Sequence, residues 1–292
     1  MTDGGGPGED WAMTLRFGLK LSQDATIDEL RDVWRVADDE GFDSAWVMDH
    51  FASLGPRDDL PIFEAWTLLA GMAALTSRVR IGCAVLGNTY RHPGVLAKQA
   101  VTVDHLSGGR LELGLGAGWA QNEHTMFDLE FGTAKDRADR LDEAVPVIKS
   151  LFTQARTTYE GTRYTLRGAV AEPKPVQLPH PPIWIGGSGP RRTLRLAAEH
   201  ADVWNAAGGT PEEIAASSAI LDRHCADVGR DPATVRRSVQ VRYSGDDDAL
   251  LRQTGEFAAV GVTDFLVLLT GGDPGALARR AAALLPRLRA AG

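Results

Sequence analysis

The residues best suited to chemistry in this sequence lie where predicted strands end. The segment 44–50, SAWVMDH, is apolar until Asp49 and His50, which places a carboxylate and an imidazole at the end of a buried strand. Because imidazole exchanges protons near neutral pH, His50 is the candidate catalytic acid or base. Asp49 points to the opposite side of the strand and need not pair with it. The alternative is a core histidine that serves only the fold.

A second candidate is the glycine-rich end of the strand RLELGLG. Its leucines alternate, and glycines follow at positions 114, 116 and 118. Backbone without side chains at a strand end lets a flat or phosphorylated ligand approach closely. The alternative is a glycine cluster required only for packing.

A third candidate lies just before a predicted helix that starts near Pro190. Backbone amides at a helix N-terminus favour a bound anion, so this turn is the predicted phosphate site. The alternative is an ordinary tight turn in which a serine caps the helix. The turn consists of Gly186, Gly187, Ser188 and Gly189.

Several familiar motifs are absent from the sequence. Trp119 stands where a GxGxxG fingerprint needs glycine, and neither GxxxxGK[ST] nor GxSxG occurs. The histidines and cysteines show no HxH, HExxH or CxxC spacing, so we predict no metal. Many exposed amides and few nucleophiles favour a bound redox cofactor, which supplies the chemistry itself.

The elements that carry these residues alternate regularly between strand and helix. Eight apolar strands alternate with eight helical segments, which predicts an α/β fold, a (β/α)8 barrel, with an open sheet as the alternative. The strands are predicted at 16–21, 44–50, 78–86, 110–116, 182–187, 201–207, 236–244 and 264–269. Residues 153–182 break the rhythm with a hairpin and a proline-rich return. We predict one domain over 13–292 after a disordered leader at 1–12.

Composition limits the partners. The formal net charge of the 292 residues is -8, which argues against nucleic acid or an anionic membrane as the main partner. No apolar run is long enough to cross a membrane, and the acidic N-terminus does not look like a secretory signal. Cys83 and Cys225 lie far apart, so free thiols and a cytoplasmic location are expected.

Taken together, these segments resemble the luciferase-like flavin and deazaflavin oxidoreductase superfamily, in particular its coenzyme F420-dependent branch from actinobacteria. The similarity covers roughly residues 14–270 and implies a TIM barrel with an insertion after helix 4. The segments that carry it are EGFDSAWVMDHF (40–51), RVRIGCAVLGNTYRHP (78–93), SGGRLELGLGAGW (107–119), KPVQLPHPPIWIGGSG (174–189) and ADVWN (201–205).

The resemblance implies a cofactor lying across the strand ends, with a cis peptide bond at Ala84–Val85 beneath its ring. His50 is the implied catalytic residue. The implied cofactor-binding residues are Asp49, His50, Cys83, Ala84, Val85, Asn122, Gly186, Gly187, Ser188 and Gly189. Basic residues that could meet an anionic cofactor tail are Arg163, Arg167, Lys174, Arg191 and Arg192. The alternative for each of them is a solvated surface residue.

Two departures from the family pattern shape the functional hypotheses. Ala117 replaces the arginine with which luciferases hold the FMN phosphate, which favours F420. Trp119 replaces the catalytic glutamate of F420-dependent sugar-phosphate dehydrogenases, which favours a small apolar substrate. The first hypothesis is therefore an F420-dependent oxidoreductase that reduces an activated alkene, imine or carbonyl, or runs in reverse on an alcohol.

The alternatives are an FMN-dependent monooxygenase with a partner reductase and oxygen, and a barrel that binds such a ligand without turnover. Relatives in this superfamily imply a homodimer.

Overall fold

The computed structural model describes residues 14–54, 57 and 59–290, and the leader predicted at 1–12 lies outside them. The strands are β1 (Arg16–Lys20), β2 (Ser44–Val47), β3 (Arg80–Cys83), β4 (Leu86–Gly87), β5 (Leu111–Gly116), β6 (Thr157–Glu160), β7 (Thr165–Ala169), β8 (Ile183–Gly186), β9 (Val203–Ala206), β10 (Arg236–Tyr243) and β11 (Asp264–Leu269). The helices are α1 (Ile27–Asp39), α2 (Ala65–Leu75), α3 (Pro93–Leu106), α4 (Gln121–Met126), α5 (Ala134–Thr153), α6 (Thr193–His200), α7 (Pro211–Asp227), α8 (Asp247–Ala258) and α9 (Pro274–Arg289), with a 3₁₀ turn at Pro232–Thr234.

The parallel strands form a closed barrel. Their order is β3, β2, β1, β11, β10, β9, β8 and β5, and β3 pairs again with β5 through Ile81 opposite Leu111 and Gly82 opposite Glu112. Helices connect the strands, as parallel pairing requires. The predicted (β/α)8 barrel is confirmed, and the open-sheet alternative is wrong because no edge separates β3 from β5.

Two segments add to this pattern. The hairpin of β6 and β7 forms a separate antiparallel sheet between α5 and β8, within the 153–182 segment that broke the rhythm. The polar loop expected after β5 contains the short helix α4, which the sequence analysis missed. None of the described helices has both the length and the apolar character needed to cross a bilayer.

The main hydrophobic core lies between the barrel and its helices. Alternate strand residues such as Phe17 and Phe265 point outward into it, and their rings stack with centroids 5.1 Å apart. Burying each such side chain contributes about 1.5–3 kcal/mol. This layer holds the strands in register and so determines which residues face the barrel interior.

The barrel interior is layered from its N-terminal to its C-terminal end. Near the N-terminal ends, Glu112 and Asp264 are buried and paired with arginines. Above them Trp46 and Trp184 fill the interior, with ring centroids 4.5 Å apart. The C-terminal ends form a mouth lined by smaller and polar residues, which is where barrel enzymes carry their sites.

Candidate functional site

A buried lysine supports the end of β3 from inside the barrel. Lys20 is 4% exposed, and its Nζ donates to the carbonyl of Ala84 at 2.8 Å and to Oε1 of Gln240 at 2.7 Å. Burial lowers the pKa of Lys20 from 10.5 to about 8, because a buried site disfavours the charged form. The Ala84–Val85 peptide bond that follows is cis, which confirms the prediction.

The strand-end glycines make room for Val85. A Cβ atom on Gly116 would lie 2.7 Å from Cγ2 of Val85, and one on Gly186 would lie 2.6 Å from the same methyl group. On Gly114 it would lie 2.2 Å from the carbonyl oxygen of Cys83. The glycines of β5 therefore pack against the end of β3, and the close approach of a ligand there stays a prediction. They let the end of β3 fold inward, so that Val85 forms a platform at the mouth.

His50 is held by a glutamate from α4. Its Nδ1 lies 3.1 Å and 3.2 Å from the two carboxylate oxygens of Glu123. Because a carboxylate can only accept, Nδ1 carries the shared proton. Nε2 makes no hydrogen bond within the described residues, and the ring meets Trp119 edge-on at 5.3 Å. The imidazole therefore leaves Nε2 without a partner in the described chain.

Glu123 receives more than this one hydrogen bond. Its side chain is fully buried, and it accepts from the hydroxyl of Tyr90 and from the amides of Phe51 and Ala52, each amide at 3.1 Å. Burial acts to raise the pKa of Glu123, but the hydrogen bonds from His50, Tyr90 and Ala52 outweigh it and hold that pKa below 4.5. Burial and the bond to Glu123 raise the pKa of Tyr90 far above 10. A carboxylate anion therefore fixes the His50 ring.

The Asp49 carboxylate is fully engaged elsewhere. It accepts from Arg91 through both oxygens, at 2.6 Å and 2.8 Å, and from the amide of Gly87 at 2.9 Å. Arg91 also donates to Glu64 at 2.7 Å. This buried cluster ties the end of β2 to the loop that follows β4. The cofactor contact predicted for Asp49 remains a prediction, and it would have to use the backbone.

The predicted phosphate turn lies at the mouth and has free donors. The amide of Gly187 is occupied by the carbonyl of Asn205 at 3.0 Å, whereas those of Ser188 and Gly189 donate no hydrogen bond within the described chain. The N-cap of α6 is Arg192, whose side chain makes no capping bond. The alternative with Ser188 as helix cap is therefore wrong. The uncapped helix start and the free amides suit an anion.

An apolar surface lies beside His50. Trp119 is 64% exposed, and Met126 and Phe127 of the α4 region are 51% and 53% exposed. Phe127 contacts Phe51 edge-on, with ring centroids 5.5 Å apart. Exposed apolar groups grouped around a polar residue are typical of a ligand-binding surface.

The basic residues expected at a cofactor tail differ in their surroundings. Arg163 and Arg192 pair with carboxylates of α5, and Lys174 donates to backbone carbonyls. Arg167 and Arg191 are exposed and make no ion pair within the described ranges. Arg191 lies next to the predicted phosphate turn.

The remaining predicted residues are separated from one another. The Cys83 side chain is buried in the outer core and therefore faces away from the mouth. Burial raises the pKa of its thiol well above 9. Asn122 is exposed on α4 beside Glu123. Cys83 and Cys225 are both free thiols. In the described part of the chain, no three His, Cys, Asp or Glu residues are arranged to hold a metal ion.

Four residues of the candidate site were not predicted from the sequence. Lys20 carried a signal, because a lysine interrupts the apolar strand RFGLKL at an inward-facing position. Glu123 ends the glycine-rich segment that starts at Ser107, yet nothing local distinguishes it from a surface carboxylate. Tyr90 and Arg91 gave no signal, since their partners are remote in sequence.

Comparison with known proteins agrees with this geometry. The model of the luciferase-like monooxygenase family matches residues 10–281. The chain is 36% identical over 256 residues to an F420-dependent glucose-6-phosphate dehydrogenase of Microbacterium testaceum, covering 85% of this chain and 74% of that protein.

Two solved structures share the fold. An F420-dependent secondary alcohol dehydrogenase in complex with an F420-acetone adduct has a TM-score of 0.83 at 21% identity, over 95% of this chain and all of that one. The F420-dependent tetrahydromethanopterin reductase of Methanopyrus kandleri has a TM-score of 0.78 at 18% identity, over 94% and 99% of the two chains.

Proposed function

The chain belongs to the luciferase-like monooxygenase family, and from this premise we propose that it is an oxidoreductase that uses coenzyme F420. Its 36% identical relative is named for F420-dependent activity. The observation that carries the proposal is the His50–Glu123 pair, which presents a proton-exchanging Nε2 at the mouth of the barrel. Ala117 stands where luciferases place the arginine for the FMN phosphate, so FMN is the less favoured cofactor.

The residues at the mouth fit such a cofactor. Val85 offers an apolar platform for a ring, because the glycines around it leave it projecting at the strand ends. The free amides of Ser188 and Gly189 would receive a phosphate, and exposed Arg191 would add a positive charge to an acidic tail. Asn122 would contact the cofactor from α4. When bound, F420 supplies a ring carbon that donates or accepts a hydride.

The chain itself handles the proton. In oxidation of an alcohol, Nε2 of His50 accepts the hydroxyl proton while the hydride leaves the adjacent carbon. In the reverse direction the same atom returns that proton to the carbonyl oxygen. Glu123 holds the ring by its Nδ1–H and stabilises the charge that His50 gains. The pair therefore holds the imidazole in one orientation, with Nδ1 toward Glu123.

The carbon skeleton of the substrate would lie against the apolar surface of Trp119, Met126 and Phe127. We propose a small, largely apolar alcohol, carbonyl or activated alkene, because these side chains offer few hydrogen-bonding groups. Trp119 would exclude water from the side of His50 that it covers.

We propose that the chain acts as a homodimer. Its support is a groove between α2 and α3 in which Val95 is 55% exposed. Trp66 and Gln99 also line that groove. Sedimentation tests the oligomeric state. A reductase partner would be needed only if FMN were the cofactor.

Titration with F420 and with FMN, followed by cofactor fluorescence, tests the cofactor assignment. Turnover with secondary alcohols and cyclic enones then tests the enzyme assignment. His50→Ala is expected to bind F420 normally and to lose about 100-fold or more in kcat, since positioned acid–base catalysis contributes about 10²–10⁴-fold. His105→Ala is the matched control, because His105 ends α3 at the opposite end of the barrel.

Much tighter binding of FMN than of F420 would overturn the cofactor assignment. Full turnover by His50→Ala would remove the role given to His50. F420 binding with no turnover across the whole panel would favour the non-catalytic alternative.

A further inference from the structure

One arginine faces the mouth of the barrel and has no role in the mechanism above. Along β10, Val239, Val241 and Tyr243 point outward into the core, so the alternate residues point inward. The inward-facing Gln240 bonds Lys20 and Asn205 inside the barrel. Arg242 follows Gln240 by two residues, so it faces inward at the mouth.

Arg242 keeps its charge available. It is exposed, and it forms no hydrogen bond or ion pair within the described residues. Arg242 differs in this from Arg80 and Arg236 at the other end of the barrel. Arg80 pairs with Glu112, and Arg236 pairs with Asp264. An unpaired guanidinium facing a recess is a ready binding group for a carboxylate or phosphate.

The charged groups near Arg242 differ between the barrel interior and the start of α8. Inside the barrel, Lys20 lies below it, bonded to Gln240. Outside, Asp246 caps α8, Asp247 pairs with Tyr243 and Arg280, and Asp248 is exposed in the first turn of α8. Among the strand carboxylates, Glu112 and Asp264 pair with arginines beneath the tryptophans. On the interior side of β10, the charge next to Arg242 therefore favours an anion.

The barrel places Arg242 opposite His50 at a useful distance. Strands β2 and β10 are separated by β1 and β11, which makes three inter-strand steps. At about 4.8 Å a step, the two strands are about 14 Å apart around the wall. Both side chains reach inward, so the gap between their polar ends is shorter than this. A compact molecule can contact both.

We propose that Arg242 binds an anionic group of the substrate, a phosphate or a carboxylate, while His50 exchanges a proton with its hydroxyl or carbonyl oxygen. The inference rests on the proposed function and deepens it. The substrate is then a small alcohol or carbonyl compound with an apolar middle and one anionic end. The apolar part would lie against Trp119.

Calorimetry on the F420-saturated protein tests this directly, with inorganic phosphate and acetate as probes for the two kinds of anion. Arg242→Gln is expected to weaken binding of the favoured anion by about 10- to 100-fold, the usual effect of losing a charge-assisted hydrogen bond. Arg242→Lys should retain part of the affinity. Arg252→Gln is the matched control, since Arg252 is exposed on α8.

Affinity for F420 separates this inference from the proposed function. It should be unchanged in Arg242→Gln, and failure of the wild type to bind F420 would refute the proposed function instead. Two results would overturn the role of Arg242. They are no binding of either anion by the wild type, and equal anion affinity in wild type and Arg242→Gln, whether or not the variant binds F420 more weakly.

Discussion

Replacing Glu123 by glutamine keeps the shape of the side chain and removes the charge that holds His50. The carboxylate accepts hydrogen bonds from the imidazole, from the Tyr90 hydroxyl and from two backbone amides, and it is fully buried. In Glu123→Gln, one oxygen becomes an NH₂ group that faces donors. A hydrogen bond to a charged group contributes about 1.5–3 kcal/mol, so we expect the free energy of unfolding to fall by about 2–4 kcal/mol.

The same substitution should affect catalysis more than binding. Without the carboxylate of Glu123, the His50 ring is less firmly oriented. We expect kcat to fall about 10- to 100-fold, equivalent to about 1.4–2.8 kcal/mol, with F420 affinity nearly unchanged. Urea unfolding and steady-state kinetics measure the two effects separately.

Tyr90→Phe is the matched control for this prediction. It removes one hydrogen bond to Glu123 but leaves the carboxylate and its contact with His50. We expect a stability loss of about 1.5–3 kcal/mol and little change in kcat. If Glu123→Gln lost stability but kept the wild-type kcat, Glu123 would be only structural and the reasoning would be refuted.

The pH dependence gives an independent check on the charge of Glu123. Its pKa in the folded protein lies below 4.5, so the stability it contributes is fully present above pH 4.5 and is lost as the pH falls through the folded-state value. The destabilisation caused by Glu123→Gln should therefore shrink in acid. A difference that stayed constant from neutral pH into this range would contradict an ionised Glu123.

Gly116→Ala should lower stability by about 1–3 kcal/mol and weaken F420 binding, because the new Cβ would lie 2.7 Å from a methyl group of Val85. Gly71→Ala in α2, where nothing lies within 4 Å, is the control for both measurements and should not destabilise. Lys20→Met is expected to lose about 3 kcal/mol of stability relative to wild type as the pH rises from 8 to 10.5, measured by urea unfolding between pH 7 and 10.5. The folded wild type releases the buried Lys20 proton at about pH 8, whereas the unfolded chain releases it at about 10.5, so wild-type stability itself rises over this range. A pH-independent difference would mean that Lys20 is not a buried charge.

Local patterns in the sequence predicted most of the elements. Thr26 with Glu29 and Thr210 with Glu213 form the expected capping boxes at the starts of α1 and α7. Such caps involve residues three apart, so the sequence contains everything they need. Strand alternation is likewise a local property. The helix α4 was missed because its six residues have no side-chain cap and no apolar period.

Part of the site could also be predicted. His50 and the turn at 186–189 were identified because parallel strands bring their C-terminal ends together in any barrel. Glu123 could not be assigned, since its partner His50 lies 73 residues away. The packing role of Gly116 could not be predicted for the same reason. Its missing side chain makes room for Val85, which lies at the end of a neighbouring strand and is remote in sequence.

The sequence by itself determined the order of strands and helices, their caps and the polar residues that end each strand, because these depend on residues close together in the chain. Only the tertiary structure decided which of those residues meet. Closure of β3 on β5 and the placement of α4 over β2 bring Glu123 to His50, and they leave Arg242 facing the mouth without a partner in the described chain. Pairings of this kind arise from the geometry of the closed barrel, and no sequence spacing encodes them.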